Sequence, residues 1–349
     1  MDLTIKFEIT SASNSTEVSS LSRSPTPAVL QFVFGVLGNL IAIVVLITAR
    51  KKHKWRPFYR LVFGLTLTDG LGILLIFPTI FLRFAPNFKF DFRICAYKSF
   101  MFIFILTSSA MIVCAMSFDR FMAILYPYRY NGIVKNNQAN ITLAVVWITC
   151  AFLTSLPLLG LRSSLLYDTG SVCFLNFIST STVVRIYSFV YSLIGLFILL
   201  STIIFNMCVV ISLCKNIVTT NTVSQKSRKK GNTFNVVFLL VIVLTFATCW
   251  TPLMIVIFGH ATALFSDVGT LELFAVRIGV TNSIIDPWIY ILFRKENIFA
   301  ITRKLGTFCD LSKVTSNSVN NNVTPPTDAQ TQSYGNTSAR TEHSIDIII

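Results

Sequence analysis

The sequence predicts an all-α membrane protein, a bundle of seven transmembrane helices followed by a short amphipathic helix. Hydrophobic residues make up 53% of the 349 residues and charged residues only 13%, whereas about 25% of the residues of a typical soluble domain are charged. The apolar residues also collect into seven windows of roughly 20 residues, the length that crosses a bilayer as a helix. A soluble protein could not hide that much apolar surface.

Polar segments separate the seven windows, and most of the windows carry no charged residue. The exceptions are the second window, which contains Asp69, and the seventh, which contains Arg277 and Asp286. Because seven crossings are an odd number, the two termini lie on opposite sides of the membrane. The windows are Ser24–Ala49, Leu61–Leu82, Ser99–Phe118, Asn136–Leu161, Ile186–Cys214, Gly231–Gly259 and Leu273–Phe293.

The distribution of basic residues predicts the orientation. The formal net charge is +14, and Lys and Arg concentrate after the first, third, fifth and seventh windows. Segments rich in Lys and Arg stay in the cytoplasm, so we expect a multi-pass plasma-membrane protein with an extracellular N-terminus and a cytoplasmic C-terminus. Asn14 then lies in an Asn-Ser-Thr glycosylation acceptor on the extracellular side. The expected surroundings are membrane lipids, and no nucleic-acid partner is expected.

Four regions follow from this pattern: an extracellular N-terminus over 1–27, a seven-helix domain over 28–295, a membrane-surface helix over 296–309, and a cytoplasmic tail over 310–349. The tail is rich in Ser, Thr and Asn, a composition typical of disorder. Cys309 at the end of the surface helix is a candidate palmitoylation site, the alternative being an ordinary tail cysteine. The cysteines show no CxxC or Cys/His spacing, so no metal site and no cofactor are predicted.

Two acidic residues lie inside predicted membrane helices. At 1.5 Å per residue, Asp69 and Asp286 lie about 12 and 10 Å from the cytoplasmic ends of their windows, so they can share one layer. A buried carboxylate needs a cation, a proton or a polar partner. Asn39, Ser109 and Asn282 are candidate partners, and a sodium site is the corresponding hypothesis. Two separately satisfied acids are an alternative. A catalytic pair is disfavoured for lack of water-activating metal ligands, so the protein is not expected to be an enzyme.

Arg277 lies five residues beyond Glu272, about one and a half turns in from the outer end. An arginine in an apolar helix is costly unless it is paired or faces water. Its planar guanidinium suits a carboxylate in two-pronged geometry, which predicts a docking point for an anionic ligand. The alternative is that the side chain snorkels to the outer headgroups.

Two cysteines lie on the predicted outer side. Cys95 lies near the start of the third window, and Cys173 lies between the fourth and fifth. Both face an oxidising compartment, where disulfides form and persist. We therefore expect a disulfide between them, which would tie the outer segment down over the bundle.

Several of these residues fall into motifs that resemble the rhodopsin-like G-protein-coupled receptors. The motifs are Gly38-Asn39, Leu65-Thr66-Leu67-Thr68-Asp69, Cys95 before Asp119-Arg120-Phe121, Cys249-Trp250-Thr251-Pro252 and Asp286-Pro287-Trp288-Ile289-Tyr290. The resemblance implies that Asp119 and Arg120 meet a heterotrimeric G protein. It also implies that Trp250 and Pro252 form a hinge that responds to ligand, and that Pro287 and Tyr290 take part in the same switch.

Within that class the chain resembles the prostanoid receptors, and most closely the prostaglandin E2 receptors that raise cyclic AMP. The resemblance rests on Asp286-Pro287-Trp288, on Arg277 ten residues before Pro287, and on the loop Gly170-Ser171-Val172-Cys173-Phe174. It implies that Arg277 binds the carboxylate of an acidic lipid. Phe102, where amine receptors carry an acid, fits a lipid chain. The other ligand-facing positions implied are Ser171, Phe84 and Val280, where the family has Thr, Tyr and Ser.

The function implied is a receptor for a prostaglandin, most closely prostaglandin E2, acting through a stimulatory G protein. The other implied partners are arrestin and a receptor kinase at the tail. One alternative is a receptor for another acidic lipid or a small peptide, coupled to inhibitory or calcium-mobilising G proteins. A second alternative, from another class, is an ion channel or ion-coupled transporter that uses Asp69 and Asp286.

Overall fold

The structure, a computed structural model, describes residues 26–50, 57–81, 92–133, 137–157, 164–166, 173–175, 181–219, 226–265 and 270–292. This part of the chain folds into eight α-helices and one short antiparallel hairpin. The helices are α1 (Thr26–Arg50), α2 (Pro57–Phe81), α3 (Phe92–Leu125), α4 (Pro127–Ile133), α5 (Gln138–Leu156), α6 (Thr182–Thr219), α7 (Lys226–Ala261) and α8 (Thr270–Leu292). The hairpin pairs β1 (Ser164–Leu166) with β2 (Cys173–Leu175).

Seven of these helices are long, and they coincide with the seven predicted windows, which confirms the fold class. Six are long and apolar enough to cross a membrane, while α8 is made more polar by Arg277, Asn282 and Asp286. Most helices run past their windows, and α3 begins seven residues before Ser99. A helix can continue into the headgroup region, so an apolar window underestimates its length.

Three features of the fold differ from the windows or lie outside them. The fourth helix was expected to reach Leu161; α5 ends at Leu156 with Pro157 still in helical geometry as its C-cap, and residues 158–161 lie outside the described residues. The short helix α4 and the hairpin were not predicted, since neither carries the apolar period of a membrane span. The membrane-surface helix expected over 296–309 lies outside the described residues.

The long helices close into a ring. Going round it, α1 packs on α2, α2 on α3, α3 on α6, α6 on α7, α7 on α8, and α8 back on α1. Helix α5 packs outside this ring, against α2 and α3. Helix α3 contacts α2, α4, α5, α6, α8 and both strands, so it is the central element through which changes at either end would pass.

The bundle is apolar on the outside and polar in part of its interior. Large apolar side chains such as Ile148, Phe152 and Phe197 are 63–71% exposed, which in water would be a severe cost but in lipid is the expected arrangement. Buried polar side chains lie instead on the facing surfaces of the ring, and Asn39, Asp69 and Asn282 are each at most 1% exposed. The polar residues of the spans therefore mark the interior.

Close packing between α1 and α8 depends on a glycine. A Cβ at Gly38 would lie 2.7 Å from the Trp288 indole nitrogen and 3.2 Å from Pro287 Cγ, both rigid ring atoms. At Gly64, by contrast, the three atoms nearest to a Cβ all belong to the flexible side chain of Leu143, which can rotate away. Both glycines lie inside apolar helices, but rigid rings lie next to Gly38 and a flexible side chain lies next to Gly64.

We expect Gly38→Ala to lower the thermal stability of the protein strongly and Gly64→Ala to lower it little. Forcing α1 away from the Trp288 ring is an overpacking change that costs about 1–3 kcal/mol. The measurement is the melting temperature of detergent-solubilised protein for both variants. Equal melting temperatures for the two variants would show that the α1–α8 contact does not require glycine.

Candidate functional site

The acids of α2 and α8 lie in one buried cluster. Ser109 of α3 donates a hydrogen bond to Asp69 Oδ1, and Asn282 donates to Asp286 Oδ2 across 2.7 Å. The two carboxylates are close enough to interact electrostatically. Asn39 of α1 donates to the Ser283 carbonyl oxygen across 3.2 Å. Four helices thus bring the predicted residues together in a single layer.

Three oxygens of this cluster have no hydrogen-bond partner among the described residues. They are Asn39 Oδ1, Asp69 Oδ2 and Asn282 Oδ1, all of them buried. A buried oxygen without a donor carries a desolvation cost and calls for an explanation such as an ion or a water molecule. Two carboxylates and two amide oxygens are hard ligands of the kind that an alkali or alkaline-earth cation takes.

The predicted hinge of α7 lies deep in the bundle. Trp250 is 1% exposed, and its ring centroid lies 5.7 Å from that of Phe246 one turn away. Pro252 and Pro287 lie inside α7 and α8, where a proline frees a backbone carbonyl and permits a bend. Both helices therefore contain a point at which they can bend next to the buried cluster.

The two residues predicted to meet the G protein are held by different neighbours. The Arg120 guanidinium carbon lies 3.6 Å from the centroid of the Phe58 ring in α2, a cation–π geometry. The Tyr130 hydroxyl of α4 donates to Asp119 Oδ1 across 2.9 Å. Sequence reasoning missed Phe58 and Tyr130, since no local pattern shows which aromatic ring will face a distant arginine.

Further polar contacts fix α3 against its neighbours near Arg120. The Tyr290 hydroxyl of α8 donates to Met116 Sδ across 3.7 Å. Asn206 of α6 donates to Ser117 Oγ across 2.7 Å. The end of α3 that carries Arg120 is therefore linked to α2, α4, α6 and α8, and we call it the Arg120 end of the bundle.

The opposite end, which we call the Cys95 end, holds the predicted ligand residues. A Cβ at Gly279 would lie 3.6 Å from Leu106, and Tyr290 meets Met116 further along, so α3 and α8 run parallel. Arg277 therefore lies towards the same end as Cys95. Its side chain is exposed, and no acidic side chain in the described part of the chain pairs with it.

The remaining predicted ligand residues are placed less fully. Phe102 and Val280 are half-buried; Phe102 lies one turn before Leu106, and Val280 lies one residue after Gly279. Phe84, Ser171, Asn14 and Cys309 lie outside the described residues. The structure thus places Arg277, Phe102 and Val280 on helices that face each other in the ring.

The hairpin packs against α3, which carries Cys95 in its first turn. Cys95 is 1% exposed and disulfide-bonded, and β2, which begins at Cys173, packs on α3. Five other cysteines, Cys114, Cys150, Cys208, Cys214 and Cys249, are free. This arrangement agrees with the predicted pairing of Cys95 with Cys173, which stays a prediction.

Comparison with known proteins extends over most of the chain. Residues 38–290 match the family of seven-transmembrane receptors of the rhodopsin family. The prostaglandin E2 receptor EP4 subtype of Rattus norvegicus is 30% identical over 345 residues, covering 85% of this chain and 71% of that protein. The Homo sapiens EP4 subtype is 32% identical over 81% of this chain and 67% of its own length. The Homo sapiens prostacyclin receptor is 32% identical, with 78% and 74% covered.

Proposed function

Because the chain belongs to the rhodopsin family of seven-transmembrane receptors and, within it, to the prostanoid receptors, we propose that it is a plasma-membrane receptor for prostaglandin E2. The observation that carries the proposal is Arg277. It is exposed at the Cys95 end, within a helix that also holds the buried Asp286, and it has no acidic partner among the described residues. A fixed cation in such a place suits the carboxylate of an acidic lipid.

The proposed binding mode follows from the two facing helices. The ligand carboxylate pairs with Arg277, while the hydrocarbon lies against the aromatic surface of α3 around Phe102. A site with one polar anchor and an apolar wall fixes orientation through the anchor and gains affinity through burial. The ligand enters from the extracellular side, where the N-terminus carries glycan at Asn14.

The proposed signal passes from the Cys95 end to the Arg120 end through the buried layer. Bending at Pro252, next to Trp250, shifts α7 against α3 and α6. The cluster around Asp69 and Asp286 then rearranges, and Arg120 becomes available to the G protein. We further propose that the stimulatory G protein is used, so that cyclic AMP rises, and that arrestin and a receptor kinase act on a tail anchored at Cys309.

Basic residues at the start of α7 are the second proposed contact for the G protein. Lys226, Arg228, Lys229 and Lys230 were expected in a loop before the sixth span, but they lie within α7. A helix presents its charges at fixed spacing. Because these residues belong to α7, the basic cluster extends that helix, and we propose that it binds an acidic surface of the G protein.

The experiment that tests the proposed function has two parts. Cells expressing the chain are assayed with radiolabelled prostaglandin E2, competed by a panel of prostanoids that includes a prostacyclin analogue. Cyclic AMP and calcium are then measured after agonist. Saturable binding led by prostaglandin E2 with a rise in cyclic AMP is expected. Tighter binding of the prostacyclin analogue than of prostaglandin E2 would contradict the proposed ligand. Calcium release without a rise in cyclic AMP would contradict the proposed G protein.

We expect Phe58→Leu to raise ligand-independent cyclic AMP about threefold, because a cation–π contact of roughly 0.5–1 kcal/mol that restrains Arg120 is lost. Leucine keeps the apolar bulk but removes the aromatic face. Phe58→Tyr keeps the ring and should behave as the wild type. Unchanged basal signalling in Phe58→Leu, at equal surface level, would contradict a restraining role.

We also propose that Asp69, Asp286, Asn39, Ser109 and Asn282 hold a sodium ion that stabilises the resting state. The unpartnered oxygens and the two adjacent carboxylates support a cation there, because like charges at close range repel unless a cation or proton intervenes.

Raising sodium from zero to 150 mM, at constant ionic strength with choline, should lower agonist affinity about three- to tenfold through this linkage. Asp69→Asn should abolish that dependence. If agonist affinity of the wild type does not change with sodium concentration, the proposed sodium site is wrong.

A further inference from the structure

We infer that Tyr97 of α3 holds the last turn of α2 in place by donating to a backbone carbonyl beside Pro78, and that it is thereby a positioning residue for ligand binding. The inference rests on the proposed function, since its effect is read as affinity for an acidic lipid. No sequence motif marks Tyr97. Its hydrogen bond to the neighbouring helix singles it out in the structure.

Pro78 creates a weak point in α2. It lies inside the helix, three residues before the helix ends at Phe81. Because proline has no backbone N–H, the Leu74 carbonyl four residues earlier lacks its helical donor, and the proline ring bends the helix. This part of α2 belongs to a candidate membrane span. In lipid no water replaces a lost backbone hydrogen bond, so the turn before a proline depends on side chains and neighbouring helices for donors.

Two side-chain hydroxyls donate to carbonyls of that turn. The Tyr97 hydroxyl of α3 donates to the Leu75 carbonyl oxygen across 3.3 Å. The Thr79 hydroxyl of α2 itself donates to the Ile76 carbonyl oxygen across 2.6 Å. A threonine that bonds back to its own helix favours a bend, while a bond from another helix also fixes the direction of the bend. Tyr97 therefore ties the bent turn of α2 to α3.

The last turn of α2, residues 78–81, leads towards the predicted ligand site. The Phe32 ring of α1 lies 4.7 Å from that of Phe77 and 6.3 Å from that of Phe81, centroid to centroid. The predicted ligand residue Phe84 follows three residues after Phe81 in the sequence. A change in the direction of α2 at Pro78 would carry Phe81 away from α1 and move the chain that follows.

The other end of the hydrogen bond also belongs to the site. Tyr97 lies two residues after Cys95 and five residues before Phe102, all three within α3. The bond therefore ties the helix that carries Phe102 to the segment that leads to Phe84, at the Cys95 end of the bundle. Two predicted walls of the ligand site are held at a fixed spacing by one hydroxyl.

The first test measures the affinity of full-length receptor in membranes for radiolabelled prostaglandin E2. Tyr97→Phe removes the hydroxyl and keeps the ring, and it should weaken binding about threefold, as expected for one hydrogen bond between membrane helices. Tyr59→Phe is the matched control and should bind as the wild type does, because Tyr59 is 38% exposed, close to the 39% of Tyr97, but lies near the start of α2. Unchanged affinity in Tyr97→Phe, at normal surface level, would overturn the inference.

A double-mutant cycle with Pro78→Ala decides whether Tyr97 acts through the proline. Alanine supplies the N–H that the Leu74 carbonyl lacks, so the turn no longer needs a donor from α3. In this background Tyr97→Phe should change the affinity by less than about 1.5-fold. An equal loss from Tyr97→Phe in both backgrounds would mean that Tyr97 acts independently of the bend, and would overturn the inference.

Cross-linking without ligand separates the inference from the proposed function. In a chain carrying Phe32→Cys and Phe81→Cys, the rate of disulfide formation under a mild oxidant, followed by mass spectrometry, reports how closely the last turn of α2 lies to α1. Adding Tyr97→Phe should slow the reaction about twofold or more, because the bent state is less populated. An unchanged rate would overturn the inference, even if Pro78→Ala does not reach the surface. A wild-type chain that fails to bind prostaglandin E2 would instead overturn the proposed function.

Discussion

Replacing Arg277 by alanine should weaken the binding of an acidic prostanoid by about 100-fold or more, which corresponds to at least about 2.7 kcal/mol. The guanidinium is exposed and has no acidic partner among the described residues. The bound lipid would cover it, and a two-pronged ion pair shielded from water leaves the ligand carboxylate uncompensated when the arginine is removed. The measurement is competition binding on intact cells, normalised to surface receptor.

Two comparisons separate docking from snorkelling. Arg277→Lys should restore affinity only in part, because an ammonium cannot reproduce the planar fork. The methyl ester should bind the wild type poorly and respond much less to Arg277→Ala, because it has already lost its charge. A snorkelling arginine would change acid and ester alike, mainly through surface expression. If Arg277→Ala reaches the surface and binds the acid normally, the carboxylate is held by another cation, with Arg83, Arg162 and Arg185 the next candidates.

Replacing Cys95 or Cys173 by alanine should abolish ligand binding at the cell surface. Cys95 is disulfide-bonded and β2 packs on α3, and loss of the predicted bond to Cys173 would free the hairpin from α3. A bond between Cys95 and Cys173 would contribute about 4.5 kcal/mol in the chain-entropy description. Surface binding and surface level are measured together on each variant.

The controls for the disulfide use the other cysteines. The double variant Cys95→Ala with Cys173→Ala should be no worse than either single variant, since each alone removes the same bond. Cys214→Ala, at a free and exposed cysteine of α6, should bind as the wild type does. Wild-type affinity and surface level in Cys173→Ala would show that the partner of Cys95 is not Cys173.

Composition and spacing determined the class of fold. Seven apolar windows fix seven helices because a backbone in lipid must satisfy its own hydrogen bonds, and the observed α1–α3 and α5–α8 fall on those windows. The same reasoning located the cluster of Asp69 and Asp286, because depth along a helix is a count of residues. This reasoning did not predict α4 and the hairpin, because segments of three to seven residues are too short to show a hydrophobic periodicity.

The tertiary structure alone decided which side chains meet. Sequence distance does not show that Phe58 would lie 3.6 Å from Arg120, or that Gly38 would lie against Trp288, because those contacts depend on how helices rotate and cross. The burial of Lys98 is of the same kind, because the sequence places it near a polar segment, where a lysine is normally solvated, and only the packed structure shows that it is 6% exposed.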